Sequence, residues 1–160
     1  MKTLLTIAGH PVTLTPHNTL TYLSNACIDC DGSDNRHNDP CWQYQTTLQS
    51  LGKPIDAESV PYIVVPPALI LSIPGIILGC LAIITNTKTK QTTACVVADV
   101  GPRRKLGELS CEAARRIGLS GNPNSGGTSD FIIQYEIYPD VPASIDQTTY
   151  RLQPYHSQSQ

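Results

Sequence analysis

The sequence lacks concentrated positive charge and lacks an uninterrupted apolar run, and each absence excludes a class of protein. Its 11 Lys and Arg are scattered apart from a cluster at 103–105, and the formal net charge is −2. The basic surface that nucleic-acid binding requires is therefore missing. The most apolar stretch, 60–84, contains four prolines, each of which would break or kink a spanning helix. We expect neither a nucleic-acid partner nor a membrane segment.

The start of the chain offers no recognisable targeting segment. One lysine precedes a short apolar run, which Gly9, His10 and Pro11 interrupt before it reaches signal-peptide length. The six cysteines are an even number, which favours an oxidising compartment. We therefore expect an extracellular protein.

The composition is that of one globular domain. With 160 residues, 40% hydrophobic and 15% charged, the chain can bury a substantial core. We expect a single domain over 1–160, with no internal repeat. The polar tail, 147–160, is expected to be partly disordered.

Short β-branched or alternating segments predict a mainly β protein with a small α component. Strands are expected at 62–66, 79–86, 93–99 and 130–140, and the whole stretch 60–84 is interpreted as buried strands separated by turns. One helix is expected after Ser110, a good cap, with Arg115 and Arg116 in its last turn and Gly118 at its end. The expected architecture is a compact six-stranded barrel, and the double-psi type is the candidate by analogy.

Two cysteines fall in the predicted hairpin of 79–86 and 93–99. If its turn is centred between Thr87 and Lys88, Cys80 lies opposite Cys95, close to the distance that a disulfide spans. The spacing therefore predicts a cross-strand bridge. The alternative is two free thiols buried in the sheet.

A motif rich in cysteine and aspartate, "CIDCDGSDNRHNDPC", occupies 27–41. Its potential zinc ligands are Cys27, Cys30, His37 and Cys41. The ligand types match a zinc knuckle, but the inner spacings do not. A small zinc-binding protein organised by these four residues remains one possible interpretation.

The same motif offers two further interpretations. Asp29, Asp31, Asp34 and Asn35 supply oxygen atoms suited to calcium, although no glutamate follows at the twelfth position as in an EF-hand loop. The simplest interpretation is an irregular acidic loop held by disulfides.

Two further carboxylates are candidates for chemistry. Asp99 falls where an apolar strand ends, and Glu108 follows nine residues later, with Gly107 allowing close approach of the chain. A pair of carboxylates brought together by such a turn is what glycosidic hydrolysis requires.

The order of several segments resembles glycoside hydrolase family 75, the fungal-type chitosanases, over residues 27–139. The segments are "DCDG" at 29–32, "VPYIVVP" at 60–66, "VADVGP" at 97–102 and "LGELS" at 106–110. This resemblance implies that Asp99 and Glu108 are the catalytic carboxylates. It also implies endo-hydrolysis of chitosan with inversion of configuration, without a cofactor or metal.

Within this interpretation we assign Glu108 as the general acid, because nearby leucines would partly desolvate it and raise its pKa. Asp99 would then activate water, and the reversed assignment stays open. Asp29, Asp31 and Asp34 are expected to bind the polycationic substrate. The cations at 103–105 would oppose that substrate if they faced the cleft.

A rival interpretation from another class is a noncatalytic polysaccharide-binding or cell-surface module on the same fold. It would bind the polymer without releasing reducing ends. In either case we expect a monomer whose partner is a polysaccharide.

Overall fold

The computed structural model describes residues 2–33, 45–101 and 105–156, which form a closed six-stranded β-barrel with a few short additions. The barrel strands are β3 (Leu20–Asp29), β6 (Tyr62–Val65), β7 (Cys80–Asn86), β8 (Thr92–Val100), β9 (Glu108–Ser110) and β10 (Thr128–Pro142). The mainly β prediction and the six-stranded barrel are thereby confirmed.

The remaining elements decorate this barrel. They are the strands β1 (Lys2–Ile7), β2 (His10–Leu14), β4 (Gln49–Ser50), β5 (Lys53–Pro54), β11 (Ser144–Ile145) and β12 (Thr148–Thr149), and the helices α1 (Pro67–Ser72) and α2 (Cys111–Arg116). Strands β1 and β2 extend the sheet outward from β3, while β4 with β5 and β11 with β12 form separate short hairpins.

The barrel closes in the order β3, β10, β7, β8, β6, β9 and back to β3. Two of these contacts, β6 with β8 and β3 with β9, are parallel, and the others are antiparallel. Closure leaves no free sheet edge on these six strands, so all of them can bury one face. The double-psi topology stays a prediction.

The core is aliphatic and centres on the long strand β10, which pairs with both β3 and β7. Ile133, Tyr135 and Ile137 are fully buried, as their alternation predicts. The ring of Tyr135 stacks on that of Tyr22 at 4.9 Å between centroids. The apolar face expected of 130–140 thus packs into the barrel, except for the exposed Phe131 at its start.

The predicted strands of 62–66, 79–86 and 93–99 are confirmed as β6, β7 and β8. The stretch between β6 and β7 is different from the prediction, because it contains helix α1. Pro66 takes the extended cap position and Pro67 the first helical position, where a missing N–H costs no hydrogen bond. The proline pair that suggested a turn therefore begins a helix.

Strands β7 and β8 form the predicted hairpin, but the prediction of a cross-strand disulfide between Cys80 and Cys95 is wrong. Ala82, and not Cys80, lies opposite Cys95, and both cysteines are buried free thiols. The turn is centred one residue later than predicted, because the side chain of Asn86 accepts hydrogen bonds from the backbone N–H groups of Lys88 and Thr89. The structure therefore confirms the alternative, in which Cys80 and Cys95 are free thiols buried in the sheet.

Helix α2 is confirmed with the predicted ends. Ser110 accepts a hydrogen bond from the backbone N–H of Ala113, and Gly118 follows the helix with a φ of +83°. Cys111, the first helical residue, forms a disulfide with Cys30, just beyond β3. This bridge joins the end of β3 to the start of α2.

The tail is attached to the barrel over part of its length. Tyr150 is buried, and Gln153 forms a bridge with Leu78. The last four residues, 157–160, lie outside the described residues.

Among residues 2–33, 45–101 and 105–156, no helix has the length and apolarity needed to cross a bilayer.

Removing the disulfide should destabilise the fold. Replacing Cys30 and Cys111 together by Ala frees a loop with a sequence separation of 81 residues. We expect the free energy of unfolding to fall by about 2–4 kcal/mol, because the unfolded chain gains conformational entropy. Guanidinium unfolding of both proteins measures this. Dithiothreitol should weaken the wild type and leave the double variant unchanged, and equal stability of the two proteins would contradict the assignment.

Candidate active site

The candidate site is built on one row of residues that crosses four neighbouring strands. Cys27 on β3 pairs with Glu108 on β9, Glu108 pairs with Val64 on β6, and Val64 pairs with Asp99 on β8. Paired residues project to the same face of a sheet. The two predicted catalytic carboxylates therefore share a face and flank Val64, about 10 Å apart at the backbone when two strand spacings of roughly 4.8 Å are counted.

Asp99 is held in place by hydrogen bonds from two sides. Its Oδ1 accepts from the hydroxyl of Thr47 at 2.7 Å and from the backbone N–H groups of Thr47 and Val100, each at 3.1 Å. The segment that carries Thr47 is itself fixed to β8, since the N–H of Leu48 donates to the carbonyl of Ala98. Asp99 is therefore a buried carboxylate with a fixed rotamer.

Glu108 faces a cation and a glycine. The Nζ of Lys105 lies 3.4 Å from Glu108 Oε1 and 3.2 Å from the sulfur of Cys27. Burial disfavours the charged form of Lys105, but its contact with Cys27 and the charge of Glu108 outweigh that effect and raise its pKa. On the other side, a Cβ at Gly101 would collide with Glu108 Oε2 and with Val64, so glycine leaves space for the carboxylate.

Two of the predicted substrate-binding aspartates lie beside this row. Asp29 is the last residue of β3, and its Oδ1 accepts a hydrogen bond from the N–H of Asp31 at 2.8 Å. The hydroxyl of Tyr62 donates to the carbonyl of Asp31. Carboxylate oxygens of Asp29, Asp31 and Asp99 all lie within 4.8 Å of one another.

The electrostatics of this cluster act most strongly on Asp29. Burial, followed by the negative charge of Asp99, raises the pKa of Asp29 to about 7, against the hydrogen bond from Asp31, which lowers it. The charge of Glu108 raises the same pKa further. One carboxyl of the cluster thus holds a proton at mildly acidic pH.

The geometry of the cysteines decides between the interpretations of 27–41. Cys30 forms a disulfide with Cys111, so it cannot serve as a thiolate ligand. The prediction of a zinc site formed by Cys27, Cys30, His37 and Cys41 is therefore wrong. His37 and Cys41 themselves lie outside the described residues. The part of the loop that the structure describes fits the interpretation of an acidic segment held by a disulfide.

The proximity of the carboxylates of Asp29, Asp31 and Asp99 does not by itself indicate a bound cation. No ion is needed to explain acidic groups that lie close together at an exposed surface, but this cluster is largely buried. Among the described residues, two groups have ligand atoms close enough together: the oxygens of Asp29, Asp31 and Asp99, and a set of Cys30, Glu58 and Cys111 whose two sulfurs are joined in the disulfide. Asp34 and Asn35 of the predicted calcium loop lie outside the described residues.

The structure brings together four of the five predicted site residues. Asp99, Glu108, Asp29 and Asp31 meet on one side of the barrel, and Asp34 lies outside the described residues. Sequence reasoning missed Thr47 as the residue that orients Asp99. It is 52 positions away, and no local pattern marks a threonine for that role.

Comparison with models of known families and with characterised proteins finds no match for this sequence. The geometry of the site and the residues themselves therefore indicate what this protein can do.

Gly107 should be essential for the approach of β9 to β3. It has a φ of +85°, and a Cβ there would lie 2.6 Å from the carbonyl oxygen of Asn25. Gly107→Ala combines backbone strain with this collision, so we expect a loss of about 3 kcal/mol in the free energy of unfolding. Urea denaturation measures the loss.

The matched control is Gly52→Ala. Gly52 has a φ of +75° and no atom within 4 Å of its Cβ position, so that variant has backbone strain alone. Its loss should be about 1 kcal/mol. Equal losses for the two variants would argue against the close contact at Asn25.

Proposed function

We propose that this protein is an endo-acting glycoside hydrolase that cleaves chitosan with inversion of configuration, using Asp99 and Glu108. The observation that carries the proposal is the placement of these two carboxylates on one face, on either side of Val64. A carboxyl separation of about 6.5–9.5 Å leaves room for the attacking water in an inverting enzyme. Two strand spacings, about 10 Å at the backbone, are compatible with that range once side chains are added.

The chemistry needs one carboxyl in its acid form and one as a carboxylate. The acid protonates the leaving glycosidic oxygen, while the carboxylate takes a proton from the water that attacks the anomeric carbon. Glu108 and Asp99 lie on rigid strands, and Thr47 restrains Asp99. Fixed positions of this kind are what acid–base catalysis requires.

The charge of the site favours a cationic sugar polymer. Asp29 and Asp31 add two carboxyl groups beside Asp99, and a cleft lined with acids attracts and orients a polycation. The ammonium of Lys105 contacts Glu108, which offsets its repulsion of the substrate. Arg103 and Arg104 lie outside the described residues.

The family and location follow from the same proposal. We place the protein with the fungal-type chitosanases of glycoside hydrolase family 75, acting as a secreted monomer. The support is the set of motifs around Asp29, Asp99 and Glu108, together with the disulfide, which suits an extracellular protein. No cofactor takes part in the proposed reaction.

Loss of either carboxylate should stop hydrolysis. At pH 6, Asp99→Asn and Glu108→Gln should each lower the rate of reducing-end release from chitosan by about 100-fold or more, because acid–base catalysis supplies that much. Partly acetylated chitin and a neutral β-glucan serve as comparison substrates. Circular dichroism should show the fold unchanged in both variants.

The control variants are Asp130→Asn and Glu136→Gln, which remove acids on β10, away from the row. Both should keep wild-type activity. Activity that persists in Asp99→Asn or Glu108→Gln would remove the catalytic assignment. Saturable binding of chitosan by an inactive wild type, undiminished in both variants, would instead establish the noncatalytic binding module.

A further inference from the structure

Strand β8 contains one extra residue that determines where Asp99 points. Up to Val97, β8 pairs with β6 residue for residue, but Asp99, and not Ala98, makes the next pair. Because side chains alternate between the two faces of a strand, an extra residue turns Asp99 away from the buried face of Val97. The register shift thus puts Asp99 on the face that carries Glu108.

The segment that carries Thr47 packs on this extra residue. The backbone N–H of Leu48 donates to the carbonyl of Ala98 at 2.8 Å, and Thr47 bonds the next side chain, that of Asp99. Asp99 is only 6% exposed, whereas Thr47 is exposed to solvent. Thr47 therefore lies on the solvent side of a buried catalytic carboxylate, where an attacking water molecule has to arrive.

The hydrogen bonds give the two oxygens of Asp99 different roles. In the described part of the chain, all three donors to this carboxylate point at Oδ1: the N–H and the hydroxyl of Thr47 and the N–H of Val100. These donors fix the rotation of the carboxylate, so Oδ2 keeps one direction. Oδ2 is then the oxygen that can take a proton from water.

The hydroxyl of Thr47 can still accept hydrogen bonds. A threonine hydroxyl has one proton and two lone pairs. The proton is directed at Asp99 Oδ1, 2.7 Å away. Among residues 2–33, 45–101 and 105–156, no donor contacts the lone pairs of this exposed side chain. An acceptor that faces solvent thus lies directly beside the catalytic carboxylate.

The preceding threonine, Thr46, has the opposite arrangement. It is buried, its hydroxyl donates to the carbonyl of Leu48 at 2.6 Å, and the same oxygen accepts from the N–H of Ile55 at 2.9 Å. The hydroxyl of Thr46 therefore serves the fold of its own segment. Two adjacent threonines thus offer a matched pair, one structural and one at the site.

We propose that Thr47 is a third catalytic residue, whose hydroxyl oxygen accepts one hydrogen bond from the attacking water while Asp99 Oδ2 accepts the other. This inference rests on the proposed glycoside hydrolysis and deepens it, with Asp99 as the base and Glu108 as the general acid. Two acceptors fix both protons of the water and so direct a lone pair of its oxygen at the anomeric carbon.

The reaction transfers one proton at each end. The water oxygen bonds to the anomeric carbon while the bond from that carbon to the glycosidic oxygen breaks, and Glu108 gives its proton to the glycosidic oxygen. One proton of the water passes to Asp99 Oδ2. The other, held by Thr47, stays on the oxygen in the new anomeric hydroxyl. Proton exchange with solvent then restores the acid form of Glu108 and the carboxylate of Asp99.

Substitutions at Thr47 test the role of its hydroxyl. Thr47→Ala should lower kcat for release of reducing ends from chitosan by about 10–100-fold, because the water loses one of its two acceptors. KM should change by less than about threefold, since contacts with the sugar are kept. Thr47→Ser has the same proton and lone pairs, so its kcat should stay within about threefold of the wild type.

Azide identifies the step that is lost. An azide ion attacks the anomeric carbon without a proton to place, so it needs neither Asp99 nor Thr47, while Glu108 still protonates the leaving oxygen. Azide should therefore restore cleavage in Thr47→Ala and in Asp99→Ala, with a glycosyl azide of inverted configuration as the product, detected by mass spectrometry and NMR. Glu108→Gln should gain nothing, because the leaving oxygen lacks its proton.

A double variant separates a contact with water from an effect through Asp99. Adding Thr47→Ala to Asp99→Ala should lower the remaining rate by a further fivefold or so, about as expected of two groups that each hold the water. An unchanged rate would show that Thr47 only orients Asp99, and it would overturn the proposed contact with water.

The structural control is Thr46→Val, which leaves the buried N–H of Ile55 without its acceptor. It should lower the melting temperature more than Thr47→Ala does, yet keep kcat per folded molecule within about threefold of the wild type.

The remaining results would overturn the inference. Wild-type kcat in Thr47→Ala, or a Thr47→Ser as slow as Thr47→Ala, would remove the role of the hydroxyl while the proposed hydrolysis would stand. Azide that restores Glu108→Gln and not Asp99→Ala would put the water at Glu108 instead. A wild type that releases no reducing ends from chitosan would overturn the proposed function and this inference together.

Discussion

Strand β9 is three residues long, yet it hydrogen-bonds to β3 on one side and to β6 on the other, and the barrel closes only through it. Its first residue is Glu108 and its last is Ser110, which caps α2 and also bonds the N–H of Tyr62 and the carbonyl of Val60. The same short strand thus closes the sheet, begins a helix and presents a carboxylate. The Cys30–Cys111 disulfide joins the residue that directly follows β9 to the residue that directly follows β3.

This closure places acidic side chains where electrostatics alone would keep them apart. Burying carboxyl groups near one another costs free energy unless hydrogen bonds, cations or protons compensate. The structure uses all three: Thr47 bonds Asp99, Lys105 contacts Glu108, and the raised pKa of Asp29 allows that group to stay neutral. Each acid therefore has a different environment, which is the condition for acid and base to divide their roles in one site.

Local features of the fold were predictable because they depend on neighbours in sequence. The alternation in β10 and the capping serine of α2 each involve contacts within a few residues. The prediction failed where local rules allowed two outcomes. The Pro66–Pro67 pair was compatible with a turn or a helix start, and the turn around Asn86 shifted the register that would have joined Cys80 to Cys95.

The sequence by itself determined which carboxylates were available, that a strand would carry Asp99, and that Gly107 would let the chain pass closely. The strands that carry Asp29 and Glu108, β3 and β9, were not predicted. Only the tertiary structure decided which of them meet. The contact of Asp29 with Asp99 and the support of Asp99 by Thr47 join residues far apart in the chain. Such contacts depend on the register of β3, β9, β6 and β8 around a closed barrel. Register is set by the packing of all the strands together, which no single segment encodes.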